Sequence, residues 1–137
     1  MTVSAPPAIA AELSRLLAHS HAPYSGVRVA AAVEGGGGAI HYGVNVENAA
    51  YPQGLCAEAS AIAAMVSAGE RELAVVLTVC DGDMLSTCCG GCRQKIREFA
   101  TPATVIHSAG PEGVRRSYSI EELLPDSFGP ENLEVRT

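Results

Sequence analysis

CAEASAIAAMVSAGERELAVVLTVC, residues 56–80, is the stretch from which the rest of the chain can be placed. Cys56 to Ala68 is rich in alanine, with Ile62, Met65 and Val66 among it, a composition of strong helix propensity. Gly69 then supplies a helix stop. Leu73 to Cys80 follows as a continuous apolar run bounded by polar turns, the pattern of a strand buried in a sheet. A helix feeding directly into a buried strand implies a sheet with helices packed on its faces.

Working outward, Asp81–Thr87 reads as a loop and Gly91–Phe99 as a short helix stopped by Pro102. Ala103–His107 is expected to be a strand and Arg115–Tyr118 a short fifth one. Ser119 and Glu122 form a capping-box pattern ahead of Leu123 and Leu124, with Pro125 as the stop. Upstream, Glu47–Leu55 reads as a loop. Val27, Val29, Ala31 and Val33 alternate as a strand would, Gly35–Gly38 makes a turn, and Ala39–Val46 returns as the second arm of a hairpin. After Pro6-Pro7, Ile9, Leu13, Leu16 and Leu17 recur at helical spacing, predicting a first helix over about 7–20. The expected architecture is α/β in three layers, a mixed five-stranded sheet with helices on both faces. One domain spanning 1–137 is expected, with 1–7 and about 126–137 as tails.

Composition narrows the function. The chain of 137 residues is 47% hydrophobic, ordinary for a globular protein. Its net charge of −6 argues against a general nucleic-acid binder, because such a protein needs a basic face to neutralise phosphates. Lys95 is the only lysine and the arginines are scattered. No positive segment followed by an apolar core opens the chain, and no apolar run approaches the roughly 18 residues of a membrane span. A cytoplasmic protein with no membrane partner is therefore expected. In that reducing compartment an odd set of five cysteines, three of them packed into 88–92, points to metal or redox chemistry rather than to a disulfide scaffold.

Cys56, Cys89 and Cys92 are placed to share one metal. Cys56 opens one predicted helix, and Cys89 and Cys92 flank Gly90-Gly91 at the start of another, where free amides and the helix dipole favour a thiolate. Zinc accepts thiolates readily and prefers four ligands, so three from the protein leave one position for water. Glu58, two residues after Cys56, is placed to exchange protons with that water without being a ligand. Three thiolates around a dication leave a net charge of about −1, and Arg93 is the nearest cation by sequence to offset it. The pattern of ligand-x-Glu followed by Cys-x-x-Cys is the one used by zinc deaminases.

Blander readings of the same residues stand beside these. Cys80, at the end of an apolar strand, reads as a small core residue, and Cys88 as a local substitution rather than a ligand. Asn45 and Glu47 suit the end of a hairpin, and Tyr51 and Phe128 suit a core. A structural zinc closed by a fourth protein ligand such as Cys88, a redox pair of Cys89 and Cys92, and a deaminase of another aminated heterocycle are the competing functions. His19, His21, His41 and His107 show no ligand spacing and are read as surface or strand-end residues.

Pro23-Tyr24-Ser25, Asn45-Val46-Glu47-Asn48-Ala49, Cys56-Ala57-Glu58, Cys89-Gly90-Gly91-Cys92-Arg93-Gln94, Leu123-Leu124-Pro125 and Phe128-Gly129-Pro130 together resemble the tetrameric, three-cysteine class of cytidine deaminases. The resemblance covers nearly the whole chain. It implies one Zn2+ per subunit on Cys56, Cys89 and Cys92, Glu58 as the proton shuttle, and hydrolysis of cytidine and deoxycytidine to uridine and deoxyuridine with release of ammonia, in pyrimidine salvage. By the same resemblance Asn45 and Glu47 bond the ribose hydroxyls, Glu58 and the Ala57 amide read the base edge, and the Thr87 carbonyl faces the leaving amine. Tyr51 and Phe128 complete a neighbouring subunit's pocket in a homotetramer with composite sites. Three positions depart from the family's pattern. Val27 replaces an aromatic residue, implying room for N4-substituted cytidines; Ala59 replaces an arginine, shifting charge balance to Arg93; and Cys88 replaces a proline.

Overall fold

A computed structural model describes residues 7–133, so the expected tail positions 1–6 and 134–137 lie outside the described residues. Helix α1 runs over Pro7–Leu16 and tightens into a 3-10 turn over Leu17–His19. Strands β1 (Val29–Gly35) and β2 (Ile40–Val44) form the hairpin. Helix α2 (Ala57–Ser67) leads into β3 (Leu73–Cys80), and α3 (Gly90–Phe99) into β4 (Ala100–Gly110). Strand β5 (Gly113–Tyr118) and the short α4 (Ile120–Leu123) follow.

The five strands make one sheet in the order β2-β1-β3-β4-β5. β3 and β4 are parallel and every other neighbouring pair is antiparallel, so the sheet is mixed as expected. The single parallel pair is the one joined through a helix, because parallel neighbours need a crossover connection.

Alternation along β1 separates two cores. Ala30 and Ala32 face Leu13 of α1 and Leu17 of the 3-10 turn after it, together with Leu77 and Val79. Ala31 and Val33 face the opposite side, where Ala61 and Met65 of α2, Ile96 of α3 and Leu123 of α4 pack. Helices thus cover both faces, giving three layers. The small side chains of β1 let α2 sit close. At Gly43 of β2 the approach is closer still, since an added Cβ would stand 2.4 Å from the Ala61 amide nitrogen and 2.7 Å from the Ala57 carbonyl oxygen.

Several boundaries differ from the sequence reading, for polar rather than apolar reasons. The first strand starts at Val29, not Val27, because Ser25 Oγ and the Asn45 side chain take up the Val27 amide and carbonyl that a neighbouring strand would otherwise bond. The second stops at Val44, after which Val46 bridges Leu55 and His21 instead of β1. The helix preceding β4 ends at Phe99, and strand begins at once, with Pro102 inside it. There Thr104 Oγ1 accepts from the Thr101 amide at 2.8 Å and donates to the Leu73 carbonyl at 2.6 Å, tying the strand entrance down locally. The capping box is present in full, with Ser119 Oγ accepting from the Glu122 amide at 3.1 Å and Glu122 Oε1 accepting from the Ser119 amide at 3.0 Å.

Candidate active site

Cys56 and Cys89 occupy equivalent places, each an extended N-cap residue immediately before a helix, α2 and α3 respectively. Cys92 lies one turn into α3 and is fully buried. Because α2 and α3 pack on the same face of the sheet, their first turns meet. The three sulfurs lie within 4.8 Å of one another, with Cys56 Sγ and Cys89 Sγ 3.7 Å apart. Ligands about 2.3 Å from a tetrahedral zinc stand about 3.8 Å from each other, so this donor set fits zinc in both chemistry and spacing. Glu58, in the first turn of α2, is buried, and its Oε2 lies 3.6 Å from Cys92 Sγ.

The thiols feel their surroundings unequally. Burial pushes the Cys56 thiol up. Burial also raises Cys92 strongly, reinforced by the negative charge of Glu58. Burial opposes ionisation of Cys89 too, but the Cys92 backbone amide and the neighbouring thiols outweigh it and bring that thiol below its ordinary value. This is the expected behaviour of a cysteine at a helix start. Cys88 is buried outside the three-sulfur cluster, its thiol raised first by burial and then by the Glu58 charge.

A cavity of about 360 Å³ opens in front of the sulfurs. Cys56, Cys89, Glu58, Ala57 and Thr87 line its metal end, and Asn45, Glu47 and Tyr51 its other end. Glu47 accepts from the Tyr24 and Ser25 amides at 3.0 and 3.1 Å on Oε1 and from the Ser25 hydroxyl on Oε2. These donors, the hydroxyl foremost, hold its carboxyl below the usual range. Asn45 Oδ1 accepts from the Val29 amide at 2.8 Å and from Ser20 Oγ, while Nδ2 donates to the Val27 carbonyl at 2.8 Å.

Three residues singled out from the sequence sit elsewhere. Arg93 directs its guanidinium to the Cys88 and Leu123 carbonyls, both at 2.8 Å, and to Thr87 Oγ1 at 3.3 Å. It braces the turn before α3 against α4, and none of these bonds reaches a sulfur. Val27 is half exposed and does not line the cavity. Phe128 is likewise outside it, held by its carbonyl to Gln94 Nε2 at 2.9 Å with its side chain exposed. Tyr51 lines the cavity yet is 76% exposed, with its ring edge-on to Tyr24 at 5.8 Å. Sequence reasoning assigned no role to Ser20 and Ser25. Their hydroxyls organise the two polar residues at the far end of the cavity, and only the position of Ser25 beside Pro23-Tyr24 hinted at it.

The family pattern described as the cytidine and deoxycytidylate deaminase zinc-binding region matches residues 8–108. Cytidine deaminase of Sporosarcina psychrophila is 33% identical over 123 residues, 90% of each chain. That of Mycoplasma pneumoniae is 38% identical over 119 residues, covering 85% of this chain and 89% of the other. The crystal structure of cytidine deaminase from Burkholderia pseudomallei superposes with a TM-score of 0.78 at 34% identity, covering 88% of this chain and 94% of that one. With its mixed sheet, its three-cysteine cluster and these relatives, the chain belongs to the zinc-binding cytidine and deoxycytidylate deaminase family.

Proposed function

We propose that the protein hydrolyses the 4-amino group of cytidine and deoxycytidine, converting water and nucleoside to ammonia and uridine or deoxyuridine. The observation that carries this reading is the Glu58 carboxylate beside Cys92, in a cavity whose far end offers Asn45 and Glu47. Cys56, Cys89 and Cys92 would hold the zinc, which would supply the Lewis acidity that activates water. Glu58 accepts one proton from the attacking water and delivers it to the pyrimidine ring nitrogen, then accepts the second from the hydroxyl newly bonded to C4 and passes it to the departing amine, ending as the carboxylate it began as. The Ala57 amide and Glu58 hold the base edge, and the Thr87 carbonyl accepts from the leaving amine. Burial of Glu58 keeps bulk water from competing for its proton.

Bond counting at the sugar end supports acceptance of both nucleosides. Both Asn45 Oδ1 lone pairs are used and one of its two amide hydrogens remains free. Three of about four acceptor positions on Glu47 are used. One donor and one acceptor therefore remain, enough for a single hydroxyl, and the 3′-hydroxyl is common to ribose and deoxyribose.

Apolar residues exposed around the cavity mouth, Tyr51 and Leu55 among them, support a homotetramer in which Tyr51 and Phe128 complete a neighbour's pocket. Sedimentation is expected to give four chains per particle, and a monomer would overturn that part. Three thiolates committed to a metal suit the reducing cytoplasm; among the described residues no helix is long and apolar enough to cross a membrane. The test of function is ultraviolet loss of cytidine and deoxycytidine with parallel ammonia detection on zinc-loaded protein. No ammonia from either nucleoside would overturn the proposal. An N4-methylcytidine arm, read as methylamine release, tests the acceptance of N4-substituted cytidines expected from the resemblance at Val27, whose side chain stands outside this cavity; no methylamine would overturn that part.

A further inference from the structure

Although the Val27 side chain lies outside the cavity, its peptide groups join the two polar residues at the sugar end. Its carbonyl accepts from Asn45 Nδ2 at 2.8 Å, and its amide donates to Ser25 Oγ at 3.0 Å. The Ser25 hydroxyl in turn donates to Glu47 Oε2. A continuous chain of hydrogen bonds thus runs from Asn45 through Val27 and Ser25 to Glu47. Gly26, at φ +73°, makes the turn that brings Ser25 Oγ back under the Val27 amide.

The loop does not need the hydroxyl for its shape. Backbone bonds already hold it: His21 amide to Asn45 carbonyl at 3.1 Å, Glu47 amide to His21 carbonyl at 2.8 Å, and Gly26 amide to Ala22 carbonyl at 3.0 Å. What the hydroxyl adds is control of a partly buried carboxylate that is otherwise bonded through Oε1 alone. We infer that Ser25 is a positioning residue whose hydroxyl holds the Glu47 carboxylate in register with the Asn45 amide, so that the two meet the same sugar hydroxyl. This inference rests on the sugar-anchoring reading of Asn45 and Glu47 given above. The same hydroxyl is the largest influence lowering the Glu47 carboxyl below its ordinary value, ahead of the Ser25 and Tyr24 amides.

The test is a double-mutant cycle on zinc-loaded enzyme with cytidine as substrate. Ser25→Ala is expected to raise KM about ten-fold, the worth of one hydrogen bond to a charged group, with kcat changed less than about three-fold. Ser25→Thr, which keeps the hydroxyl, should return KM to within about three-fold of the native value. In a Glu47→Gln background, Ser25→Ala should cost less than about two-fold, because the group it positions is already altered. A native KM in Ser25→Ala overturns the inference, as does an undiminished penalty in the Glu47→Gln background, or failure of Ser25→Ala to fold. A Glu47→Gln variant with native KM would instead overturn the sugar-anchoring reading itself. A raised KM there with Ser25→Ala unaffected sinks only the role of Ser25.

Discussion

Oε2 of Glu58 stands 3.6 Å from Sγ of Cys92, the buried member of the three-sulfur cluster, with both residues shielded from solvent. The pair belongs to two different helices, so their proximity follows from α2 and α3 packing side by side on one face of the sheet. The carboxylate is beside the donor set without being one of its three members, which is where a proton carrier has to be.

Glu58→Gln keeps the shape of the side chain and removes its basicity. It is expected to retain one zinc per chain and to lose about 10²- to 10⁴-fold in kcat. Metal analysis and the ultraviolet assay check the two parts together. Activity within ten-fold of native would remove Glu58 from the chemistry.

The two adjacent cysteines should separate cleanly. Cys89→Ser and Cys92→Ser are expected to lose zinc on dialysis, whereas Cys88→Ser, altered outside the cluster, should keep it. Metal content per chain is the readout, and the reverse pattern would reassign the ligand.

Gly43→Ala drives a methyl group into the α2 backbone, 2.4 Å from the Ala61 nitrogen. Neither partner is a flexible side chain, so the helix must move, at a cost of about 1–3 kcal/mol or more. At Gly35 the nearest atoms to an added Cβ belong to the Glu70 side chain, Cγ at 2.4 Å, so the clash is relieved by moving that side chain off the Gly37, Arg71 and Glu72 amides rather than by shifting a helix backbone. Urea midpoints of Gly43→Ala and Gly35→Ala should therefore differ clearly, with Gly43→Ala the less stable. Equal midpoints would mean that the helix yields freely.

His107, read from the sequence as a surface or strand-end residue, is instead fully buried within β4 because that strand runs on to Gly110, with its Nδ1 2.7 Å from Ser117 Oγ and its Nε2 without a partner among the described residues. Burial lowers its pKa below the ordinary 6.5. The unfolded chain therefore binds the proton more readily than the folded one. The contribution of this residue is complete above about pH 6.5 and is lost as pH falls from there through the folded value. Urea unfolding from pH 8 to pH 5 should show declining stability, and His107→Asn should flatten that decline. An identical slope in the variant would assign the pH dependence to other groups.

Much of the framework was legible because it is local. Alternation in β1, the apolar run of β3, the alanine-rich α2 and the capping box at Ser119 are all patterns within a few neighbouring residues. The strand boundaries at Val27 and Val46 were not legible. They depend on groups distant in sequence, the Asn45 side chain against Val27 and the Leu55 backbone against Val46, that take hydrogen bonds a ladder would have used. The partners of Arg93 were no more legible, since its guanidinium reaches the Leu123 carbonyl, 30 positions away, as well as Cys88 and Thr87 nearby.

The chain's own order of residues was enough to establish its helices and strands and to put two sulfurs within one helical turn, because periodicity and spacing act over a few residues. Folding alone chose which distant groups meet: Cys56 with Cys89, Glu58 with Cys92, Ser25 with Glu47. Polar atoms bond to whatever donor or acceptor packing leaves within reach, and that is a property of the assembled layers rather than of any local run.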